Sequence, residues 1–187
     1  DDAARPVPAL RPLVRDFTQL LTPIMTAGLP REQFDGLVAL ADSLAPDDES
    51  PLAWTARFAV QRHRDWLAAN EAREQTAARF AEFFRRFDVL LLPITPVPAI
   101  PHDHSEPFPT RTIAVNGETR AYSDLFAWIA PATLTRAPAT AAPIGFTPGH
   151  LPVGVQIVGP YLEDHTAIDF AARLGEVIGG FVAPPIA

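Results

Sequence analysis

Residues 151–160, LPVGVQIVGP, form an apolar run in which Gln156 is the one polar side chain. A run that does not alternate between apolar and polar residues is typical of a strand covered on both faces. Residues 89–93 and 139–144 have the same character. Three such strands, separated by long helical or irregular stretches, predict an α/β fold in which helices cover a sheet. Because the strands are few and scattered, we expect other strands to lie between or beside them in a larger sheet.

Helical spacing of apolar residues predicts most of the remaining structure. Ser50 suits a helix N-cap and Pro51 the first turn, and the apolar stripe that follows contains neither glycine nor proline. We therefore expect one long helix at about 51–87. Residues 1–50 are expected to form a leading segment with short helices. Residues 51–187 then hold the long helix, the strands of the sheet and a C-terminal helix.

Three local signals concern bends and turns. Pro23 falls within a helical pattern and should kink or restart that helix. Asn116-Gly117, between β-favouring residues, indicates a β-hairpin. Ser123 suits the cap of a short apolar helix, Asp124 to Ile129, that should end at Pro131.

Composition argues against several classes of protein. The 15 basic residues are all arginine, the net charge is −7 and no basic run is present, which argues against a nucleic-acid partner. The lack of cysteine excludes disulfides and thiol chemistry. No apolar run approaches the ~18 residues of a membrane span and no secretory signal is visible, so we expect a cytoplasmic protein with no membrane partner. The aromatic stripe of the long helix is interpreted as core, and no cofactor is expected.

Several motifs resemble those of the amidase signature family. FDVLLLP at residues 87–93 is similar to one strand segment of that family, PATAAPIGF at residues 138–146 to a second, and LPVGVQIVGP to a third. Upstream, residues 64–66 and 70–73 fit the long helix that precedes these strands in the family. Together the motifs reach from about residue 54 to the C-terminus, and their order and spacing are specific.

The resemblance implies a mixed, twisted central sheet wrapped by helices, and the hydrolysis of a carboxamide to a carboxylate and ammonia or an amine. In the family a serine attacks the carbonyl, activated through a second serine whose peptide bond is cis and a lysine base. Those residues precede residue 1 here, since the chain has no lysine and none of its four serines lies in a Gly-Ser-Ser context. The chain, residues 1–187, is thus expected to be a single C-terminal portion of an amidase domain, with no catalytic residue and no activity alone.

The resemblance also places part of a substrate pocket. In amidotransferase A subunits, an acidic residue that helps to hold glutamine often lies before the second strand motif, and Phe126 stands there with Trp128 close by. We interpret Phe126, Trp128 and Ile129 as either core or wall of the acyl pocket. As a wall, these side chains favour an apolar or aromatic amide over glutamine.

Two positions depart from the family pattern. The usual glycine just before Pro138 is replaced in the run 133–138, where Arg136 needs room and a partner that glycine does not need. His150 stands where a glycine commonly precedes Leu-Pro.

Other candidate sites have plainer interpretations. Residues 102–104, His-Asp-His, with Glu106 nearby, contain metal-ligating side chains, but no further ligand cluster joins them, so we expect a solvent-facing loop and no metal site. Ser105 and Ser123 lack the Gly-x-Ser-x-Gly elbow of a serine triad. Gln156 is interpreted as a satisfied core amide and not as a ligand contact.

Three functions stay open at this point. The first is the C-terminal part of an amidase that shapes the substrate pocket for a small-molecule amide. The second is a non-catalytic interaction or regulatory protein built on the same half-fold. The third is the A subunit of a glutamine-dependent amidotransferase, which Phe126 disfavours. For the first, we expect the missing N-terminal portion or an oligomer partner to cover an exposed apolar surface.

Overall fold

Helices make up most of the computed structural model, which describes residues 5–6, 9–105 and 110–184. The α-helices of this described part are α1 (Leu10–Thr26), α2 (Arg31–Ser43), α3 (Pro51–Ala59), α4 (His63–Phe84), α5 (Ala130–Thr135) and α6 (Asp164–Ile178). Its strands are β1 (Leu90–Pro93), β2 (Thr112–Val115), β3 (Glu118–Ala121), β4 (Ala139–Phe146) and β5 (Pro152–Val158), and a 3-10 helix (Tyr122–Ile129) precedes α5. The combination of helices and strands confirms the predicted α/β class.

The three predicted apolar strands are direct neighbours in one antiparallel sheet of order β1-β5-β4. No strand of the described residues lies between them, although we expected one between or beside them. Ile157 and Val158 of β5 are fully buried. On one face, Ile157 packs with Ala142 of β4 and Ala167 of α6, with Phe170 beside them. The C-terminal helix therefore covers this face of the sheet.

The opposite face of β4 is uncovered in the described structure. Residues paired across neighbouring strands share a face, and the pairs Ala141↔Gln156 and Pro143↔Gly154 lie on the side away from α6. Both Ala141 and Pro143 are exposed. The apolar sequence predicts cover on both faces, and among the described residues α6 covers one of them.

The prediction of one long helix at about 51–87 is wrong, because two helices, α3 and α4, take its place. The break falls at residues 60–62, where no glycine or proline is present. The side chain of Gln61 lies at this break and also contacts α1. The Gln61 side-chain amide donates to the Phe58 carbonyl at 3.1 Å, in place of the backbone N–H that a continued helix would supply. A side-chain hydrogen bond thus takes the place of a helical backbone hydrogen bond at the break.

The same side chain repairs the defect that Pro23 makes in α1. The helix runs through Pro23 without restarting. Because proline has no N–H, the Gln19 carbonyl one turn earlier loses its helical donor. Gln61 Nε2 donates to that carbonyl at 2.7 Å, and Gln19 Nε2 donates back to Gln61 Oε1 at 3.0 Å.

The turn predictions have mixed outcomes. The hairpin at Asn116-Gly117 is confirmed: β2 and β3 pair antiparallel, and both turn residues have positive φ, 53° and 83°. The short helix predicted over Asp124–Ile129 is present, but its predicted end at Pro131 is wrong. The segment before it is 3-10, and Pro131 lies in the first turn of α5, where its missing N–H costs nothing.

The described chain exposes much apolar surface. Its accessible surface is 12305 Å² for 20.3 kDa, whereas size scaling gives about 8,800 Å² for a folded monomer of this mass. Leu162, Val177 and Phe181 are 76%, 83% and 78% exposed. The area counts polar and apolar atoms together, and the exposed side chains are of the kind that the sequence predicts for a surface covered by other residues. None of the described helices is both long enough and apolar enough to cross a membrane.

Candidate functional site

The predicted pocket residues lie on the 3-10 helix and are partly open to solvent. Phe126 is 45% and Ile129 37% exposed, while Trp128 is half-buried. The rings of Tyr122 and Phe126 meet edge to face, with 6.2 Å between their centroids. Large aromatic and aliphatic side chains at this exposure suit a surface that a second group will cover.

Gln156 fixes this helix to the sheet. Its Nε2 donates to the Trp128 carbonyl at 2.9 Å, across 28 residues of sequence. The side chain lies on the face of β5 away from α6, so the hydrogen bond holds the end of the 3-10 helix on that face of the sheet, beside the uncovered part of β4. The interpretation of Gln156 as a satisfied amide is confirmed, and its partner is the backbone of the predicted pocket wall.

A cavity of about 230 Å³ lies between α1, α4 and α5. Its walls are mostly apolar, and its lining residues are Phe17, Leu20, Leu21, Ile24, Trp66, Asn70, Arg73, Thr133 and Leu134. Phe126, Trp128 and Ile129 do not line it. They belong to the helix that joins directly to α5, so the structure places the predicted wall beside this cavity, not in it.

The cavity has one unsatisfied polar group. Arg73 Nε is buried and has no hydrogen-bond partner among the described residues. Buried donors are seldom left unpaired in folded proteins, so this N–H is an exception within the described structure, and the Arg73 side chain adds a positive charge to the cavity wall. Asn70 lies one turn earlier on the same face of α4.

Sequence reasoning missed this site. Residues 70–73 entered the sequence interpretation only as part of a helix. The spacing of Trp66, Asn70 and Arg73, which repeats at four and then three residues, was the available signal, because it places a polar pair on an apolar helix face.

Glu74 joins this cavity to a second cleft. Its Oε1 accepts from Arg73 Nη2 at 2.8 Å, and its Oε2 accepts from Arg136 Nη2 at 2.6 Å. The Arg136 guanidinium also lies 5.9 Å from the centre of the Tyr161 ring. Arg136 therefore has the room and the partner that its replacement of a glycine requires. The cleft around it has a volume of about 620 Å³ and lies between α4, the end of α5 and the loop before α6.

Backbone geometry explains why glycine suits both departing positions. Arg136 ends α5 at φ 56°, and His150 lies in a turn at φ 59°. Both values fall in the left-handed region that glycine occupies without steric cost. The chain has kept the two turns while placing side chains where they are least favoured.

The described loop at residues 102–105 contains three potential metal ligands, His102, Asp103 and His104. The His102 and His104 rings lie 5.9 Å apart. Asp103 Oδ1 accepts from the Ser105 hydroxyl and backbone N–H, at 2.7 and 2.9 Å, and these bonds hold the pKa of Asp103 below its ordinary value. Glu106 lies outside the described residues. Within the described ranges, no three His, Cys, Asp or Glu side chains are placed to share a metal ion.

A family model described as Amidase matches residues 52–168, more than half of the chain. The chain belongs to the amidase family. The matched range includes Trp66, Arg73, the 3-10 helix and all three strands of the main sheet. It confirms the resemblance that the strand motifs indicate.

The names of curated relatives of this chain describe more than one activity. It is 28% identical over 145 residues to a fatty acid amide hydrolase of Medicago truncatula, across 76% of this chain and 22% of that protein. It is 37% identical over 109 residues to the A subunit of a glutamyl-tRNA(Gln) amidotransferase of Thermus thermophilus, across 58% of this chain and 20% of that protein. The chain thus spans about a fifth of the length of these relatives.

A solved amidase structure has the same fold. It superposes with a TM-score of 0.62 at 23% identity, over 91% of this chain and 36% of the solved chain. The chain therefore corresponds to about a third of that structure.

Proposed function

We propose that the chain is the C-terminal portion of an amidase that hydrolyses a carboxamide to a carboxylate and ammonia or an amine. The observation that carries this proposal is the ordered set of family motifs on β1, β4 and β5, placed on adjacent strands of one sheet. The uncovered face of β4 and the exposed apolar surface support it, because a larger domain would cover both. We infer that the remaining portion of the amidase, or an oligomer partner, packs there, and that the protein is cytoplasmic.

Within that enzyme this chain would shape the substrate site. The 3-10 helix would supply an apolar wall through Phe126 and Ile129, with Trp128 held by Gln156. The neighbouring cavity of about 230 Å³ has room for a ring and a small polar group, since a cavity of about 150 Å³ admits benzene. These features favour an apolar or aromatic amide.

The chain alone would lack the chemistry. It contains no lysine and no serine in a Gly-Ser-Ser context. In the family that the chain resembles, such residues supply the nucleophile and its base. Amidase activity would therefore require the protein as its gene encodes it. A panel of benzamide, a long-chain primary amide and glutamine, assayed for released ammonia, tests the proposal. We expect hydrolysis of the first two, and no turnover of any amide would contradict it.

A second candidate is the A subunit of a glutamine-dependent amidotransferase, because the Thermus thermophilus relative at 37% identity has a name of that kind. The half-exposed Phe126 disfavours it, since the family resemblance places this side chain where an acidic residue often helps to hold glutamine. Hydrolysis of glutamine in preference to benzamide would favour this candidate over the first.

A further inference from the structure

Two arginines share one carboxylate at the wall of the cavity. Arg73 Nη2 and Arg136 Nη2 take different oxygens of Glu74, at 2.8 and 2.6 Å. A pair of Arg73 and Glu74 alone would be neutral. With Arg136 the cluster carries a net charge of +1, because no other carboxylate of the described residues lies within ion-pair distance of Arg136.

The Arg73 guanidinium is only partly paired in the described structure. Glu74 holds Arg73 through Nη2, while Nε of the same guanidinium is buried and has no partner in the described structure. The Arg73 side chain is 21% exposed, whereas Glu74 and Arg136 are 41% and 47% exposed. Arg136 therefore offsets part of the negative charge of Glu74, and the positive charge of Arg73 at the cavity is less compensated.

The backbone conformation of Arg136 is unfavourable for a residue that has a side chain. Its φ of 56° is a conformation that disfavours side chains, and the sequence resemblance places a glycine there. The side chain nevertheless makes an ion pair across 62 residues and an aromatic contact with Tyr161. Its distinguishing contribution is the second positive charge on Glu74.

We propose that Arg136 is a positioning and specificity residue, which acts through Glu74 to keep Arg73 oriented and the end of the cavity positive. The ligand class selected is an apolar or aromatic skeleton that carries an anionic group, such as an arylcarboxylate, remote from the scissile amide. The attraction comes from the net positive charge of this cluster, since the Arg73 side chain lines the cavity. This inference rests on the proposed amide hydrolase for its catalytic meaning, but the binding it requires is measured without catalysis.

The test uses fluorine NMR titration of the protein as its gene encodes it, with 4-fluorobenzoate as the anionic probe and 4-fluorobenzyl alcohol as the neutral one. Wild type should bind the benzoate more tightly. Arg136→Gly, which relieves the backbone conformation, should weaken benzoate binding about two- to fivefold and leave the alcohol unchanged, as expected for one partly screened charge. Arg136→Lys should restore most of the loss. Arg73→Gln should remove the preference for the anion.

Arg173→Gln is the matched control, since it removes an exposed arginine that pairs only with Asp169 within the described structure. It should change neither titration. Equal binding of the two probes by wild type, or equal effects of Arg136→Gly on both, would overturn the inference. If amide turnover is absent while the probes behave as expected, the proposed function fails and the anion site stands. Where turnover is present, Arg136→Gly should raise KM for an anionic amide with kcat unchanged.

Discussion

At the scale of single residues, the two departures from the family pattern both fall at left-handed backbone positions, which explains why glycine is usual there. The sequence shows that glycine is missing at Arg136 and His150, but a φ value is not visible in a sequence. The structure gives 56° and 59° at the two sites. A side chain is tolerated there at a cost, because the local turns and contacts hold the backbone in place.

His150→Gly should stabilise the protein by about 0.5–1 kcal/mol, because glycine adopts this φ without the steric cost of a Cβ. The turn would persist, since Thr147 N–H donates to the Leu151 carbonyl and His150 N–H to the Thr147 carbonyl, each at 2.9 Å. Urea unfolding measures the change. His150→Ala is the control, since it removes the imidazole but keeps the Cβ, and it should leave stability nearly unchanged. A stabilisation by alanine as large as that by glycine would show that the imidazole, and not the left-handed backbone conformation, destabilises the protein.

At the scale of elements, sequence reasoning worked where local patterns decide the structure. The apolar runs gave β1, β4 and β5, and Asn116-Gly117 gave the hairpin, because these signals act over a few residues. The break between α3 and α4 could not be predicted, since no local breaker is present. It depends on Gln61 meeting two carbonyls, one of them 42 residues away on α1.

Gln61→Leu tests that explanation. The substitution leaves the Gln19 and Phe58 carbonyls without their donor, and we expect a loss of about 1–3 kcal/mol in unfolding free energy. Gln75→Leu on the exposed side of α4 is the matched control and should cost far less. Urea unfolding of both variants gives the comparison. Equal losses would mean that Gln61 has no special part in the junction of α1, α3 and α4.

Gln156→Met tests the link between sheet and pocket wall. Methionine preserves the volume but cannot donate to the Trp128 carbonyl, so the 3-10 helix should loosen while the sheet remains. Hydrogen exchange should become faster in residues 122–135 and stay unchanged in α6. Exchange that is faster in α6 as well would indicate general destabilisation of the sheet and not release of the pocket wall.

At the scale of the whole molecule, the exposed surface and the coverage of relatives agree. The chain spans 36% of a solved amidase that shares its fold, and one face of β4 is open. The sequence predicted family and fold class from motifs on three strands. It placed the pocket wall on the 3-10 helix, which stays a prediction. It did not find the cavity beside that helix, because the cavity forms where α1, α4 and α5 meet, far apart in the chain.

The most direct measurement of the central claim compares ammonia release from benzamide by two proteins. One is the product of the full reading frame that contains this chain, and the other is residues 1–187 alone. We predict hydrolysis by the first and none above background by the second, because the chain has no lysine and no Gly-Ser-Ser serine. Hydrolysis of benzamide by residues 1–187 alone would contradict the account.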